Sequence, residues 1–556
     1  MKTEMKQKKL SPEKVWKRHS AAVDFNIGLN LYETVQVNEN FYIGKQWEGV
    51  KSNGLPTPVF NFLKRVTLFS VASVSTDNLK LHATALNSTG DSGSGRLEII
   101  ADIINRQFEQ LFEYNRIGTL VREFARNAAV DGDGATYTYW DDTAETGQKS
   151  KGAIKTEILM NTQVEVANPN SRDLQGQNYI IISRRMLVED ARKRARRNGQ
   201  SEEEAGLIQA DEKDAGNTNL DALGGSKVTV LLYLWRDEDS GTIHAYECTK
   251  TACIREEWDL GLKLYPVTWM CWDYVQDSYH GQALISGLVP NQIFVNRLFA
   301  MTMISLTTTA YPKVIYDKNR IRHWDNRVGA AIPVMGGDIN NAAKIMDPAS
   351  ISPQISQFID LAIQYTQKFL GASDVALGDT RPDNTSAIIA LQRASAVPME
   401  LTKQNLLQSI EDLGRIYLDF MGAYYGERIV EVPNPFGGNA MVPFDFKELK
   451  KIPMSIKLDV GASSYWSEIA NMQTLDNLLI NNKISLVEYL KRLPSGMITD
   501  REALIETLQR EQQMNTMPQG GQNSGQIVET GQPAQIEGGA GNRQLQRKIN
   551  ETGEVA

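Results

Sequence analysis

Three cysteines, Cys248, Cys253 and Cys271, stand in a chain of 556 residues. So few, and odd in number, they exclude a disulfide framework and point to a reducing cytoplasm, with the thiols buried as small core residues. Histidine is almost as rare. His19, His82, His244, His280 and His323 are scattered, and none sits in a G-x-S-x-G or comparable setting, so no nucleophile and base pairing can be read. There is no G-x-x-x-x-G-K-[ST] loop: "TGDSGSGRLE" supplies the glycines without the lysine, which excludes a P-loop motor and leaves a flexible loop. The start, "MKTEMKQKKLSPEKVW", lacks the apolar stretch of a signal peptide, so no export is expected. Nor is there a basic excess. The formal net charge is -8, which argues against tight nucleic-acid binding over the whole surface, since such affinity is built from many Lys and Arg contacts to phosphate.

Charge is nearly absent from one segment. "GQALISGLVPNQIFVNRLFAMTMISLTTTAYP", Gly281 to Pro312, holds only Arg297, in a chain that is 23% charged. It is long enough to span a bilayer, but Arg297 and three amides, Asn291, Gln292 and Asn296, fall at its centre, and Thr307, Thr308 and Thr309 crowd its far end. A membrane span is therefore disfavoured. Phe294, Leu298, Met301 and Leu306 recur at helical spacing as one apolar face. The residues off that face are small or neutral rather than charged, the pattern expected of a helix packed on both sides by copies of itself.

Along the chain, Val59 to Val74 and Leu97 to Val130 carry apolar residues at three and four spacings, so the first 130 residues are predicted to be largely helical. "VDGDGATYTYWDD" then reads as a turn feeding a strand. Further strands are predicted at Ile154 to Val166, Tyr179 to Ser183, Val228 to Trp235 and Thr242 to Cys248, the last two joined by "RDEDSG". After Pro312 come a short strand, "KVIY", and an irregular stretch to Pro353. "QISQFIDLAIQYTQKFLG" places Ile355, Phe358, Ile359, Ala362 and Phe369 on one side of a helix. A long helix is predicted from about Asn384 to Tyr425, bent at Pro398. Met472 to Gln512 reads as two or three more helices. From Pro518 the composition turns to Gly, Gln, Asn, Ser and Glu, that of a disordered tail. With 41% hydrophobic residues the whole is a multidomain α+β chain.

Chemical motifs are thin. His244, Cys248 and Cys253 lack a second spaced pair for zinc and read as strand residues. Asp131, Asp133 and Asp142 match positions 1, 3 and 12 of a calcium loop, but Thr136 replaces the required glycine. Together with Asp141 they would suit a metal-dependent nuclease, yet turn chemistry explains both Asp-Gly pairs. The run "ARKRARRNGQSEEE" ends in a capping box at Ser201 and Glu204, and the basic part reads as a solvated helix face. No catalytic residue, cofactor or metal is expected.

Three stretches carry a resemblance. "LYPVTWMCWDYVQDSYHGQALISGLVPNQIFVNRLFAMTMISLTTTAYPKVIYD" resembles the portal proteins of tailed bacteriophages: a strand with an early Pro, the His280-Gly281 pair after Tyr279, a helix bearing Gln292 and Asn296, then a short strand. "GASDVALGDTRPDNTSAIIALQRASAVPMEL" is similar to the portal pattern of a Gly-containing loop, a Pro, and small and hydroxyl residues opening a long helix. "NFYIGKQW", Asn40 to Trp47, is similar to the aromatic-Gly-Gln-Trp stretch near portal N-termini. The three occur in the family's order and touch about a quarter of the chain.

The resemblance implies a ring of identical subunits, usually twelve, at one capsid vertex of the virion, made in the cytoplasm of a bacterial host. It implies a portal-like subunit with a mixed wing over 1–280 (helical, then β-rich), a stem helix over 281–309, a clip over 310–352 and a second stem helix over 353–372. A tunnel loop over 373–384, a wing helix bent at Pro398 with following strands over 385–462, a helical crown over 463–515 and a disordered tail over 516–556 complete it. Phe294, Leu298, Met301, Phe358 and Ile359 are then stem-packing candidates, and Arg381, Asp379 and Asn384 are candidates to face DNA. The implied function is packaging and ejection of double-stranded DNA without sequence specificity or catalysis. The implied partners are the terminase large subunit, a head-tail adaptor, and the major capsid and scaffolding proteins. A metal-dependent nucleic-acid processing enzyme using the aspartates near Asp131, and a membrane channel using Gly281 to Pro312, stand as alternatives.

Overall fold

A computed structural model describes residues 10–508 apart from 53, 55, 76–78, 87–93, 149–150, 212–225, 311–313, 326, 328, 346–353, 370–396, 434–438, 460–464, 482, 494–500, 502–503 and 506. The fold is α+β and divides into two compact units, residues 1–467 and 468–556.

The first unit opens with α1 (Pro12–Gly28), α2 (Leu31–Ile43) and α3 (Phe62–Val74). Ser11 caps α1 by accepting from the Lys14 N–H at 3.4 Å, and Pro12 takes the first turn, where a missing N–H costs nothing. A strand that the periodicity did not predict, β1 (Lys80–Ala85), pairs antiparallel with residues Met454–Asp459. Then come α4 (Ser94–Tyr114) and α5 (Ile117–Asp131), whose apolar faces supply much of the main core.

At "VDGDGATYTYWDD" the strand forms as expected, but the turn expected before it is a helix end. Asp131 is the last residue of α5, Gly132 (φ +103°) caps it by donating to the Ala128 carbonyl, and β2 (Asp133–Asp141) begins at once. A glycine at positive φ ends a helix as readily as it makes a turn, so the same letters serve both. The run Ile154 to Val166 is likewise not one strand. It forms β3 (Ala153–Leu159) and β4 (Val164–Val166), broken by a 3₁₀ turn at Asn161–Gln163 and assigned to different sheets.

Beyond it lie β5 (Tyr179–Leu187), α6 (Val188–Arg197), α7 (Glu202–Gly206), β6 (Lys227–Arg236), β7 (Ile243–Cys248), β8 (Cys253–Asp259) and β9 (Val267–Cys271). One antiparallel sheet has the order β3-β2-β9 and the other β4-β5-β6-β7-β8. The second is covered on both faces, which is why "YIIIS" reads as an unbroken apolar run. Ile180 and Ile182 face the main core, while Ile181 joins Leu231, Tyr233 and Cys248 against Val15 of α1. The capping box at Ser201 and Glu204 forms. The basic residues around it pair with carboxylates: Arg192 with Glu189, Arg196 with Glu202 and Arg197 with Asp142.

Next come α8 (Val289–Ala310), β10 (Val314–Tyr316), β11 (Ala343–Ile345) and α9 (Gln354–Phe369). Residues 384–396 of the predicted bent helix lie outside the described residues. Pro398 sits in a 3₁₀ turn, Val397–Met399, that opens α10 (Glu400–Phe420), so in the described part it starts the helix rather than bending it. The helix runs on into a π turn at Met421–Tyr425. α10 crosses the smaller sheet, with the Ser409 hydroxyl on the Trp269 carbonyl (3.3 Å) and the Tyr417 hydroxyl against Thr156 (2.8 Å). Strands β12 (Glu427–Pro433), β13 (Asn439–Asp445) and β14 (Met454–Asp459) follow, and β14 is the partner of β1. The helices predicted after Met472 are α11 (Tyr465–Ile480) and α12 (Leu486–Arg492), where Tyr489 donates to Asp476 at 2.6 Å. The tail from 516 lies outside the described residues.

Candidate functional site

The near-neutral segment folds as α8, which pairs with the antiparallel α9 to form an arm rooted in the first unit by two clasps. At 1.5 Å per residue, α8 is about 33 Å long. Its start lies against the end of α9, where the Asn291 amide donates to the Thr366 hydroxyl at 3.2 Å.

The first clasp holds the chain just before α8. Asp133, fully buried at the start of β2, accepts from the Gly281 N–H at 2.7 Å through one oxygen and lies 2.7 Å from His280 Nδ1 through the other. His280 Nε2 lies 3.2 Å from Asn26 Oδ1 on α1. Gly281 must be glycine here: a Cβ would sit 2.7 Å from the Asp273 carbonyl oxygen and 3.1 Å from that of Gly132.

The second clasp answers why amides interrupt an apolar helix. Gln292 and Asn296, one turn apart, are buried. Gln292 donates to the Phe60 carbonyl (2.8 Å) and to Asn296 Oδ1 (3.0 Å), and accepts from the Leu63 N–H (3.3 Å). Asn296 donates to Gln46 Oε1 at 2.6 Å, and Gln46 donates in turn to the Phe41 carbonyl at 3.1 Å. The loop between α2 and α3 is thereby pinned to α8, with Phe60 stacked on Phe299 at 5.0 Å. Buried amides are tolerable because these contacts meet their hydrogen-bonding needs. Two of the three resembling stretches, "NFYIGKQW" and the α8 segment, thus meet through Gln46 and Asn296.

Beyond the clasps the arm is exposed. Of the stem-packing candidates, Ile359 is buried and Leu298 packs against the core of its own subunit, whereas Phe294, Met301 and Phe358 are 49%, 60% and 54% exposed. The predicted single apolar faces are therefore split. Leu298 turns inward from Phe294 and Met301, and Phe358 turns outward from Ile355 and Ile359. Thr302, Thr307 and Thr309 bond back to carbonyls four residues earlier, which lets hydroxyls sit on a neutral helix. Among the described residues no helix is long and apolar enough to cross a membrane. At the arm's far end β10 and β11 form a two-stranded ladder closed by Arg320, which donates to the Gly336 and Asp338 carbonyls at 2.7 Å each. The DNA-facing candidates Asp379, Arg381 and Asn384, and the loop 373–384 that holds them, lie outside the described residues.

The aspartates of the alternative enzyme reading do not converge. Asp133 is engaged by His280 and Gly281, Asp141 pairs with Lys155 (2.5 Å), and Asp142 pairs with Arg197 (3.2 Å). Burial, with Glu39 and Asp133 nearby and only partly offset by Arg126, pushes the Asp131 carboxyl up to about 7. Cys271 lies beside Asp133, but burial and that carboxylate push its thiol up, the opposite of an activated nucleophile. His244 pairs with Glu257 at 2.9 Å. Among the described residues, no three His, Cys, Asp or Glu side chains are grouped to hold a metal. The sequence reading missed the clasp roles of Asp133, Asn26 and Gln46. Gln46 lies in a stretch already singled out, but nothing local pairs it with Asn296, and Asn26 stands in none of those stretches.

Residues 244–464, less than half of the chain, match the family model described as phage P22-like portal protein. The match supports a phage portal protein, the family that the three stretches resemble. No curated relative matches.

Proposed function

We propose that this phage portal protein is the subunit of a closed ring at one capsid vertex. Through the ring double-stranded DNA is packaged and ejected, and on it the terminase large subunit docks before a head-tail adaptor replaces it. The observation that carries this reading is the rooted arm. Phe294, Met301 and Phe358 are exposed on α8 and α9, within the segment the family model matches, and a single subunit leaves that apolar surface in water, where it favours association. We assign 281–309 and 353–372 to the stem, 310–352 to the clip, 373–384 to the tunnel loop, 463–515 to the crown, and 1–280 with 385–462 to the wing. The subunit acts as a passive conduit and symmetry adaptor. A net charge of -8 suits this role, because a strongly basic lumen would grip many phosphates and hold DNA still. Native mass spectrometry of the purified chain tests the reading. A single closed assembly formed by head-to-tail contacts is expected, and a stable monomer at micromolar concentration refutes it.

A further inference from the structure

Two charges on the arm are exposed and unmatched within the subunit. Arg297 is the sole charged residue between Gly281 and Pro312, and its side chain is exposed on α8. It falls between the exposed Phe294 and Met301, at spacings of three and four that place all three on one outward stripe. Asp360 is the sole acidic residue of α9 and is exposed beside the half-exposed Leu361. Among the described residues, neither side chain has an ion-pair or hydrogen-bond partner. The amides of α8 differ in this respect: Asn291, Gln292 and Asn296 are all bonded within the subunit.

The places of the two charges follow from the contact that fixes the helix pair. Asn291 donates to Thr366 at 3.2 Å, so these residues mark the line along which α8 and α9 meet. Arg297 lies six residues after Asn291, and Asp360 six before Thr366. In antiparallel helices both steps run the same way along the arm, about 9 Å at 1.5 Å per residue. The charges are therefore level with each other. Six residues at 3.6 per turn also carry each side chain about 120° away from the contact line. Both helices are right-handed, so the two side chains turn the same way from directions that face each other, and they end on opposite flanks of the pair.

We propose that Arg297 of one subunit pairs with Asp360 of the next at each contact of the ring. Resting on the ring reading above, this pairing names the occupant of the arm's flanks: a second copy of this chain. Rotation about a ring axis parallel to the arm keeps level groups level, so a cation on one flank meets the acid on the opposite flank of its neighbour in a head-to-tail contact. The pairing also accounts for one Arg on an otherwise neutral helix. Left alone between Phe294 and Met301, Arg297 would lose its water on assembly with nothing in return, whereas an aligned carboxylate offsets that loss and disfavours other registers.

The test uses the purified full-length chain and its charge-reversed variants, with ring and monomer read by native mass spectrometry over a dilution series. Arg297→Asp and Asp360→Arg should each raise the concentration at which half the chain is assembled by about tenfold or more. The double variant restores the pair with its signs exchanged and should return that concentration to within about threefold of the parent's. If a reversed variant melts early, Arg297→Gln and Asp360→Asn give a second readout: each should weaken the ring, and the two together no more than either alone. A parent ring whose double variants show the sum of the single losses, or whose single variants assemble like the parent, overturns the pairing and leaves the ring reading standing. A parent that stays monomeric overturns both.

Discussion

Gln46 and Asn296 lie 250 positions apart and are joined by a 2.6 Å hydrogen bond between their side-chain amides. The bond ties a loop near the N-terminus to the root of the longest near-neutral helix, and it sets how firmly the arm is held.

Removing one partner should show this. Asn296→Ala leaves Gln46 Oε1 and Gln292 Nε2 each short of a buried contact, so a loss of about 1–3 kcal/mol is expected in denaturant unfolding. Gln46→Ala and the double variant complete a cycle. A coupling of about 0.5 kcal/mol or more is expected, and additive losses would mean that the two amides do not act together.

Asp131 should make stability depend on pH. Its folded-state pKa of about 7 is raised above the ordinary 3.8 by burial. The folded chain therefore binds this proton more tightly than the unfolded chain, so the favourable contribution is present at low pH and is lost as pH rises from about 4 through 7. Asp131→Asn should raise stability at pH 8 by roughly 1–3 kcal/mol and much less at pH 4. Equal effects at both values would contradict the assignment.

Much of this organisation is legible in the sequence, and its failures have causes. Helical periodicity finds α4, α5, α8, α9 and α10, because apolar residues at three and four spacings leave a helix little alternative. It does not find β1, whose six residues are stabilised by β14, more than 350 positions away. Asp131-Gly132 misleads because a helix cap and a turn both want glycine at positive φ. Phe358 is exposed while Ile355 and Ile359 turn inward, because apolar character at helical spacing does not by itself say which side of a helix is covered. Gln292 and Asn296 were visible as an anomaly, but their partner Gln46 was not, since nothing local connects them.

Arg381 offers a test of the channel itself. If 373–384 faces DNA, Arg381→Glu repeated around the ring becomes a negative collar acting on phosphates. Rings should form with nearly unchanged stability, while particles package or retain less DNA. Particles that hold full-length DNA like the parent at low and high salt would remove this residue from the channel.

Deleting 518–556 should leave assembly and melting temperature unchanged. A Gly- and Gln-rich segment buries too little apolar surface to offset its ordering entropy. A clear fall in melting temperature would contradict this.

On the proposed function, the arm's outward apolar side chains join identical subunits. Phe294 and Phe358 are 49% and 54% exposed in one subunit, so changing both to Asp should alter the stability of the isolated fold by no more than about 0.5 kcal/mol. Native mass spectrometry of parent and double variant side by side is the most direct measurement. One closed ring mass is expected for the parent, and folded monomers or open oligomers for the variant. A variant that forms the parent's ring at the same concentration would contradict it.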